Sequence, residues 1–367
     1  MPAIHRLFDL LLVHGGSDLH LKVGQPPTIR RRGDLVALEE GPIDGAEMVG
    51  LLDDLLDDEQ RASYRDTHDL DFAYAYAEKA RFRANYLTST TGPGAVFRTI
   101  PTRILSAEEL GLPPGLLRLV ERRAGLVLVT GPTGSGKSTT LAAMISHRNH
   151  TTSGHILTIE DPVEFVHPPA KCQVTHREVG VDTRSYADAI RSAGRENADV
   201  ILIGELREAE TMRLALQLAS FGILILATVH TNSAAATIDR FINSFPAMEQ
   251  SGIRGMLSDS VAGIIAQQLL KTTDGKERVA VQEVLVGNTA VASAIRESKT
   301  TMIPSLIQAG GGDGMQSMDV ALEHLVSTEK VTAADALDKA LDKPTFAKRP
   351  LIAQALQSQR LEQDSSA

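Results

Sequence analysis

The sequence predicts a two-domain α/β protein, in which a small α+β domain precedes a larger domain built on a parallel sheet. Its 367 residues exceed the roughly 250 to 300 at which a single core stops growing. In the second half, short apolar runs rich in β-branched residues are separated in places by helical patterns, as in a parallel sheet buried on both faces. Apolar residues make up 43% of the chain and charged residues 23%, so both domains can bury a core.

The N-terminal domain is predicted over residues 1–100. An apolar run at residues 7–13 indicates a helix, and three leucines between residues 51 and 55 recur at helical spacing. Residues 80–87 alternate in the way that is typical of a strand. We therefore expect helices and strands to be mixed in this domain.

A connector is predicted over residues 101–113, because prolines such as Pro101 fix the backbone and lack a hydrogen-bond donor. The second domain is expected over residues 114–346. Its part from about residue 249 to 340 indicates several short helices with a glycine-rich break, and residues 347–367 are expected to form a flexible tail. The predicted strands of the second domain lie at residues 125–129, 155–159, 200–203 and 223–229.

Charge and cysteine content exclude several classes of protein. The 37 Lys and Arg against 46 Asp and Glu leave a net charge of -9, which would repel a nucleic-acid backbone, so we expect no nucleic-acid partner. Cys172 is the one cysteine, which excludes an internal disulfide and a cysteine-based zinc site and favours a cytoplasmic protein. No apolar run approaches the roughly 20 residues of a membrane-spanning helix.

A complete phosphate-binding loop of the form G-x-x-x-x-G-K-[ST] directly follows the predicted strand at residues 125–129. Its glycines let backbone N–H groups face phosphates, Lys137 can reach the β and γ oxygens and act in catalysis, and the Ser138 hydroxyl can hold Mg²⁺. The helix after the loop would direct its positive end at the same phosphates. The sequence therefore predicts a site for ATP and Mg²⁺. Its predicted nucleotide-binding residues are Gly131, Pro132, Thr133, Gly134, Ser135, Gly136, Lys137, Ser138 and Thr139.

Three further catalytic candidates follow predicted strands that end at the same sheet edge. Glu205 can orient or activate water, although an acid there also suits the start of a helix. Glu160 can position metal-bound water, or it can belong to a solvated acidic loop together with Asp161 and Glu164. His230 can sense the γ-phosphate by hydrogen bonding, or it can be structural.

Three motifs besides the phosphate loop carry a family resemblance. Residues 158–167, TIEDPVEFVH, resemble the aspartate box of secretion and pilus ATPases, and residues 201–207, ILIGELR, resemble their Walker B strand. Residues 228–231, TVHT, resemble the second half of their histidine box. The likeness covers about residues 5–346. The chain thus resembles the PilT-type and PilU-type retraction ATPases of type IV pili, within the type II/IV secretion ATPase family.

The resemblance points to the retraction branch of that family. Polymerising motors of the family usually carry a four-cysteine zinc module and a long N-terminal extension, and a chain with Cys172 alone cannot form that module. Residues 294–296, Ala-Ile-Arg, are similar to a motif found late in the retraction motors. The resemblance therefore implies no zinc and a motor that powers pilus retraction and twitching motility.

The resemblance also implies a fold, an assembly and partners. It implies a PAS-like N-terminal domain and a RecA-like ATPase core in a hexameric ring, formed alone or with a paralogous pilus ATPase. The ring would act at the cytoplasmic face of the inner membrane, on the pilus platform protein. Arg81, Arg83 and Arg98 resemble nucleotide contacts that neutralise transition-state charge, although arginines on an exposed strand are also commonly solvated.

Several departures from the family pattern keep two other functions open. Where the family has Glu-Thr-Gly-His, residues 220–223 read SFGI, and the segment at residues 297–301 is shortened. The run at residues 194–199, GRENAD, is changed as well. These changes suit an accessory PilU-like subunit that binds ATP and hydrolyses it weakly. A RecA-like nucleic-acid motor is a further alternative, because the core fold hosts such motors. The negative net charge of the chain counts against this alternative.

Overall fold

The structure, a computed structural model, describes residues 2–31, 33–77, 79–100 and 103–366. Pro101, predicted to belong to the connector, and Ala367, the last residue of the predicted tail, lie outside the described residues. The chain divides into two compact units. The first comprises residues 1–103 with the short segment 162–166, and the second comprises residues 104–161 and 167–367.

The first unit is an antiparallel sheet with helices on one face. Within the described residues its strands follow the order β3-β2-β1-β6-β5-β4. Buried aromatic side chains, including Phe8, Phe82, Tyr86 and Phe97, form the core between the sheet and the helices. The elements of this unit are α1 (His5–Val13), β1 (Asp18–Lys22), β2 (Thr28–Arg31), β3 (Asp34–Ala37), α2 (Gly45–Asp53), α3 (Asp58–Thr67), β4 (Asp69–Tyr76), β5 (Ala80–Ser89) and β6 (Gly92–Ile100).

The second unit contains a mostly parallel sheet with strand order β13-β12-β7-β11-β10-β8-β9, and β13 runs antiparallel at the edge. Every residue of β7 and β11 is buried, as expected for central strands with helices on both faces. The elements are α4 (Pro114–Val120), β7 (Gly125–Thr130), α5 (Lys137–Thr151), β8 (Gly154–Glu160), β9 (Cys172–Glu178), α6 (Tyr186–Ala193), β10 (Val200–Ile203), α7 (Ala209–Ser220), β11 (Leu224–Val229), α8 (Ala234–Asn243), α9 (Ala247–Ser260), β12 (Val261–Lys271), β13 (Arg278–Val286), α10 (Thr289–Arg296), α11 (Ile303–Ala309), α12 (Met318–Ser327), α13 (Ala333–Lys339), α14 (Lys343–Ala347) and α15 (Pro350–Ser366).

The α/β fold class is confirmed, and so are the four strands predicted for the second unit. The prediction of short helices after residue 249 was wrong for residues 261–286, which form the antiparallel hairpin β12–β13. Most residues of both strands are buried on whichever face they lie, so the sequence lacks the alternation that distinguishes a strand from a buried helix. Among the described residues, no helix is long and apolar enough to span a membrane.

The stretch after residue 347, expected to be a flexible tail, forms helix α15. This helix packs against α12 and α13. Ile352 on α15 and Phe346 on α14 are fully buried in a separate hydrophobic cluster of the C-terminal helices. The start of α15 is therefore part of the folded core of the second unit.

Replacement of Ile352 by alanine is expected to lower the free energy of unfolding by about 2 to 4 kcal/mol, because it leaves a cavity in this cluster. Its neighbour Leu351 is 36% exposed. Leu351→Ala is therefore the matched control and should cost less than about 1 kcal/mol. Urea denaturation of the two variants checks this, and equal effects would mean that α15 does not pack as described.

Candidate active site

The phosphate loop joins β7 to α5 at the carboxyl edge of the parallel sheet. Gly131, Gly134 and Gly136 all have positive φ angles, of 151°, 78° and 83°. The Gly131 position tolerates no side chain, since a Cβ there would lie 2.2 Å from the carbonyl oxygen of Gln267. Lys137 begins α5, is 9% exposed and donates from Nζ to the carbonyl oxygens of Gly131 and Pro132, each at 3.0 Å. The loop is thus a tight turn, and the ammonium group of Lys137 is hydrogen-bonded to its backbone.

The remaining loop residues differ in exposure. Pro132, Thr133 and Gly134 are exposed, while Ser138 and Thr139 are half-buried. The Ser135 hydroxyl is buried and has no hydrogen-bond partner among the described residues. A phosphate oxygen is the kind of acceptor that such a hydroxyl, in a glycine-rich turn at a helix start, can bind.

Glu205 lies just beyond β10, at the same edge of the sheet. Its Oε1 is 2.7 Å from Nε of Arg207 and 3.1 Å from Nε2 of His230. Burial disfavours ionisation of Glu205, but the hydrogen bond from Arg207 and the charge of His230 outweigh it, so its pKa lies below the ordinary value. The structure therefore brings Glu205 and His230 together and keeps the carboxylate ionised at neutral pH.

Glu160 ends β8 and is 7% exposed. A Cβ on Gly204, the residue before Glu205, would lie 3.3 Å from the Glu160 Cα and 2.9 Å from the Tyr186 hydroxyl. Burial raises the pKa of Tyr186, and the charges of Asp161, Glu160 and Glu205 raise it further. The acids at the ends of β8 and β10 thus lie near the hydroxyl of Tyr186, and this hydroxyl keeps its proton.

Threonines at the strand ends hold these loops together. The Thr228 hydroxyl donates to the carbonyl oxygen of Gly204, and the N–H of Leu206 donates to the Thr228 carbonyl at 2.9 Å. The Thr130 hydroxyl at the end of β7 lies 2.6 Å from the Thr231 carbonyl and accepts from its N–H at 2.7 Å. The loop that carries His230 is therefore tied to the strand that carries the phosphate loop.

Sequence reasoning missed Tyr186, Thr130 and Thr228, because no motif considered above assigns them a role. It also missed Gln267, a buried residue of β12 whose amide nitrogen donates to the Ser135 carbonyl at 2.7 Å. The signal that was available is a polar side chain in an otherwise apolar run, and this run was interpreted as helical. Among the described residues, no group of three or more His, Cys, Asp or Glu side chains could hold a metal by itself.

Arg81, Arg83 and Arg98 lie on the sheet of the first unit. Arg83 and Arg98 are directly opposite one another in the β5–β6 register, and Arg81 lies two residues away on the same face of β5. Arg98 donates from Nε to Asp18 Oδ1 at 2.8 Å, and Arg83 lies 3.9 Å from Asp71. Both thus have acidic neighbours within their own unit.

His167, the last residue of the TIEDPVEFVH motif, is 3% exposed and stacks on His176. Burial, with a smaller contribution from His176, lowers the pKa of His167 to about 4. An unfolded chain binds this proton near pH 6.5, so folding favours the neutral ring and stability falls as the pH drops from about 6.5 toward 4.

We therefore expect the protein to lose roughly 2 kcal/mol of unfolding free energy at this residue between about pH 7 and pH 5. His167→Gln removes the titrating ring and should reduce the pH dependence by that amount in urea denaturation. An unchanged pH dependence in the variant would contradict the burial of a neutral His167.

Comparisons with known proteins show the family of the chain. The profile of the family described as "Type II/IV secretion system protein" matches residues 11–329. The chain belongs to the type II/IV secretion system protein family. The match to this family includes the phosphate loop, the acids of the sheet edge and most of the first unit.

Individual members of the family resemble the chain along most of its length. It is 47% identical to the type IV pilus "retractation ATPase" PilT of Pseudomonas aeruginosa over 326 residues, which cover 89% of this chain and 94% of that protein. It is 39% identical to the type IV pilus ATPase PilU of the same organism, covering 90% and 87%. The crystal structure of the pilus retraction motor PilT with bound ADP superposes with a TM-score of 0.88 at 38% identity, covering 94% of this chain and 99% of that one.

Proposed function

We propose that the chain is an ATP-hydrolysing motor that powers type IV pilus retraction and twitching motility. The observation that carries the proposal is a complete phosphate loop at the same sheet edge as an ionised Glu205, in a chain similar over nearly its full length to a pilus retraction ATPase. Nucleotide binding is supported by the bound ADP in the similar crystal structure.

The loop residues 131–139 bind the phosphates of ATP. Backbone N–H groups at the start of α5 face the phosphates, and Lys137 leaves its loop carbonyls to neutralise the β and γ oxygens. Glu205 orients and activates the attacking water as an ionised carboxylate, with Arg207 and His230 holding its Oε1. Glu160 positions water beside it, and His230 senses the γ-phosphate.

Mg²⁺ fits the residues at this edge. Ser138 is a half-buried hydroxyl on the first turn of α5, and carboxylates lie at the ends of β8 and β10. A hydroxyl oxygen, phosphate oxygens and waters are the ligands that Mg²⁺ takes in such sites. Ser138 would hold the ion, which supplies charge neutralisation on the transferred phosphoryl group.

The assembly proposed from the family resemblance is a homo-hexameric ring, with or without a paralogous ATPase. In that ring Arg81, Arg83 and Arg98 neutralise transition-state charge, which requires Arg98 to exchange its partner Asp18 for phosphate. The ring acts at the cytoplasmic face of the inner membrane, through the platform protein of the pilus. ATP-driven closure and release of the subunits then transmit rigid-body steps.

An accessory PilU-like role is the second candidate, favoured by the changed residues 220–223. These residues precede β11, whereas His230 follows it, so they lie at the opposite edge of the sheet. Six residues of strand at ~3.3 Å each place them about 20 Å from the nucleotide edge. The Ser220 hydroxyl there donates to the Leu216 carbonyl and lies 3.0 Å from the Ser260 hydroxyl. The change leaves the groups around Glu205 intact, which favours the autonomous motor.

Retraction in the source cells tests the proposed function. Cells that lack this gene should assemble pili that fail to retract, and the wild-type gene should restore retraction. The same gene carrying Glu205→Gln should not restore it. Normal retraction in the deletion strain, with its paralogues also removed, would contradict a retraction function.

A further inference from the structure

Gln267 lies beneath the phosphate loop on β12, the strand parallel to β7. Its side chain is 1% exposed, so each of its polar atoms needs a partner inside the protein. A buried amide in an apolar strand costs stability unless it is fully hydrogen-bonded. The hydrogen-bond partners of Gln267 therefore indicate which part of the structure this side chain stabilises.

The side-chain amide of Gln267 makes hydrogen bonds to the loop, to α5 and to β13. Its Nε2 donates to the Ser135 carbonyl at 2.7 Å. Its Oε1 accepts from the Thr140 hydroxyl at 2.7 Å and from Nε2 of Gln282 at 3.2 Å. One amide thus links the carbonyl of a loop residue to the first turns of α5.

The backbone of Gln267 also shapes the loop. Its carbonyl oxygen is the atom that a Cβ on Gly131 would approach to 2.2 Å, and its Nε2 would lie 3.1 Å from a Cβ on Gly136. Gly131 and Gly136 therefore pack directly on this residue. Gln267 therefore contacts the loop near both of its ends, and these contacts fix the distance between the loop and β12.

A second layer of amides holds Gln267 itself. Gln282, opposite Gln267 in the β12–β13 register, is 3% exposed, and its carbonyl accepts from Nε2 of Gln316 at 2.9 Å. Gln316 pairs with Val284 through two backbone hydrogen bonds of 2.8 and 3.0 Å. The side chain of Gln267 is thus bonded to the hairpin through Gln282 as well as to the loop and α5.

We propose that Gln267 is the positioning residue of the phosphate loop, holding it in the phosphate-binding conformation before nucleotide arrives. The nucleotide part of this inference rests on the proposed function. Because Gln267 touches the Ser135 carbonyl and the Thr140 hydroxyl and not the reacting atoms, its loss weakens binding more than it slows the chemical step.

The test compares two variants of Gln267 with a matched control on the same strand. Gln267→Met keeps the size of the side chain and removes all three hydrogen bonds. Gln267→Glu keeps both acceptor contacts and loses the donor to Ser135. The control is Gln268→Met, because Gln268 contacts the Lys339 carbonyl at 3.4 Å and none of the loop residues.

Two readouts separate the inference from the proposed function. The first is hydrogen exchange of the backbone amides of residues 131–138 in nucleotide-free protein, where both Gln267 variants should exchange roughly tenfold faster than wild type. The second is steady-state kinetics, where the KM for ATP should rise roughly tenfold with kcat changed less than about threefold. Gln268→Met should match the wild type in both.

Wild-type exchange in Gln267→Met, or equally raised exchange in Gln268→Met, would overturn the proposal. Wild-type behaviour of Gln267→Glu would show that the donor to Ser135 holds nothing, and would also overturn it. If the wild-type protein hydrolyses no ATP, the proposed function fails, while the exchange of the loop amides still decides the role of Gln267.

Discussion

Replacement of Lys137 by alanine is expected to lower the rate of ATP hydrolysis by on the order of 10²- to 10³-fold, the effect of removing one preorganised group that stabilises transition-state charge. Lys137, the first residue of α5, is 9% exposed, and its ammonium donates to the carbonyl oxygens of Gly131 and Pro132. No other lysine lies in the loop. The variant should also bind ATP more weakly, because the phosphates lose one of the positive charges that neutralise them.

The measurement is steady-state phosphate release at saturating Mg-ATP, with nucleotide binding measured in parallel. Lys276→Ala is the control, since the Lys276 side chain is 81% exposed in the turn between β12 and β13, with its Nζ 3.9 Å from Asp274. That control should keep the wild-type rate. Turnover within about threefold of wild type in Lys137→Ala would show that the phosphate loop is not the site of hydrolysis.

Replacement of Glu205 by glutamine is expected to lower kcat by on the order of 10²- to 10⁴-fold while ATP still binds. Glutamine keeps the size and a carbonyl oxygen for Arg207 and His230, but it cannot accept a proton from water. Because the pKa of Glu205 is lowered, the carboxylate is ionised throughout the neutral range, and the loss should be present across that range.

A matched control for this variant is available three residues away. Glu208 is exposed at the start of α7, where its side chain makes no capping hydrogen bond. Glu208→Gln changes the net charge by the same amount and should leave kcat at the wild-type value. A Glu205→Gln protein that retains normal kcat would remove Glu205 from the mechanism and leave Glu160 as the candidate base.

The sequence was sufficient to predict the centre of the second unit. The strands β7, β8, β10 and β11 are short apolar runs with polar residues at or just after their ends, and a parallel sheet brings such ends to one edge. The position of the phosphate loop, Glu205, Glu160 and His230 at that edge follows from connectivity alone. Local pattern therefore predicted which groups meet, although not the distances between them.

The sequence was insufficient where a pattern has two interpretations. The hairpin β12–β13 is buried on both faces, so its residues lack alternation, and Gln267 could not be placed beneath the loop without the pairing of β12 with β7. Helix α15 was missed because the sequence after its apolar first turn is mostly polar, and Ile352 is buried through tertiary packing on α12 and α13. Strand β9 pairs at the edge of the sheet and is half-buried, which weakens its signal.

The distance between residues 220–223 and the phosphate loop also changes how the altered histidine box is interpreted. From the sequence, Ser220 and Ile223 were departures that suited a weakly hydrolysing subunit. In the structure they precede β11 at the edge opposite the phosphate loop, where Ser220 lines a cavity of about 410 Å³ together with Arg122 and Asp259. Within one chain, these residues lie too far from the phosphate loop to contact a nucleotide bound there.

Steady-state hydrolysis of Mg-ATP by the wild-type chain purified alone tests the central claim most directly. An autonomous motor predicts saturable, Mg²⁺-dependent release of phosphate without any partner subunit. Nucleotide that binds tightly and is not hydrolysed by the chain alone would contradict the motor, and would assign the chain to the accessory role.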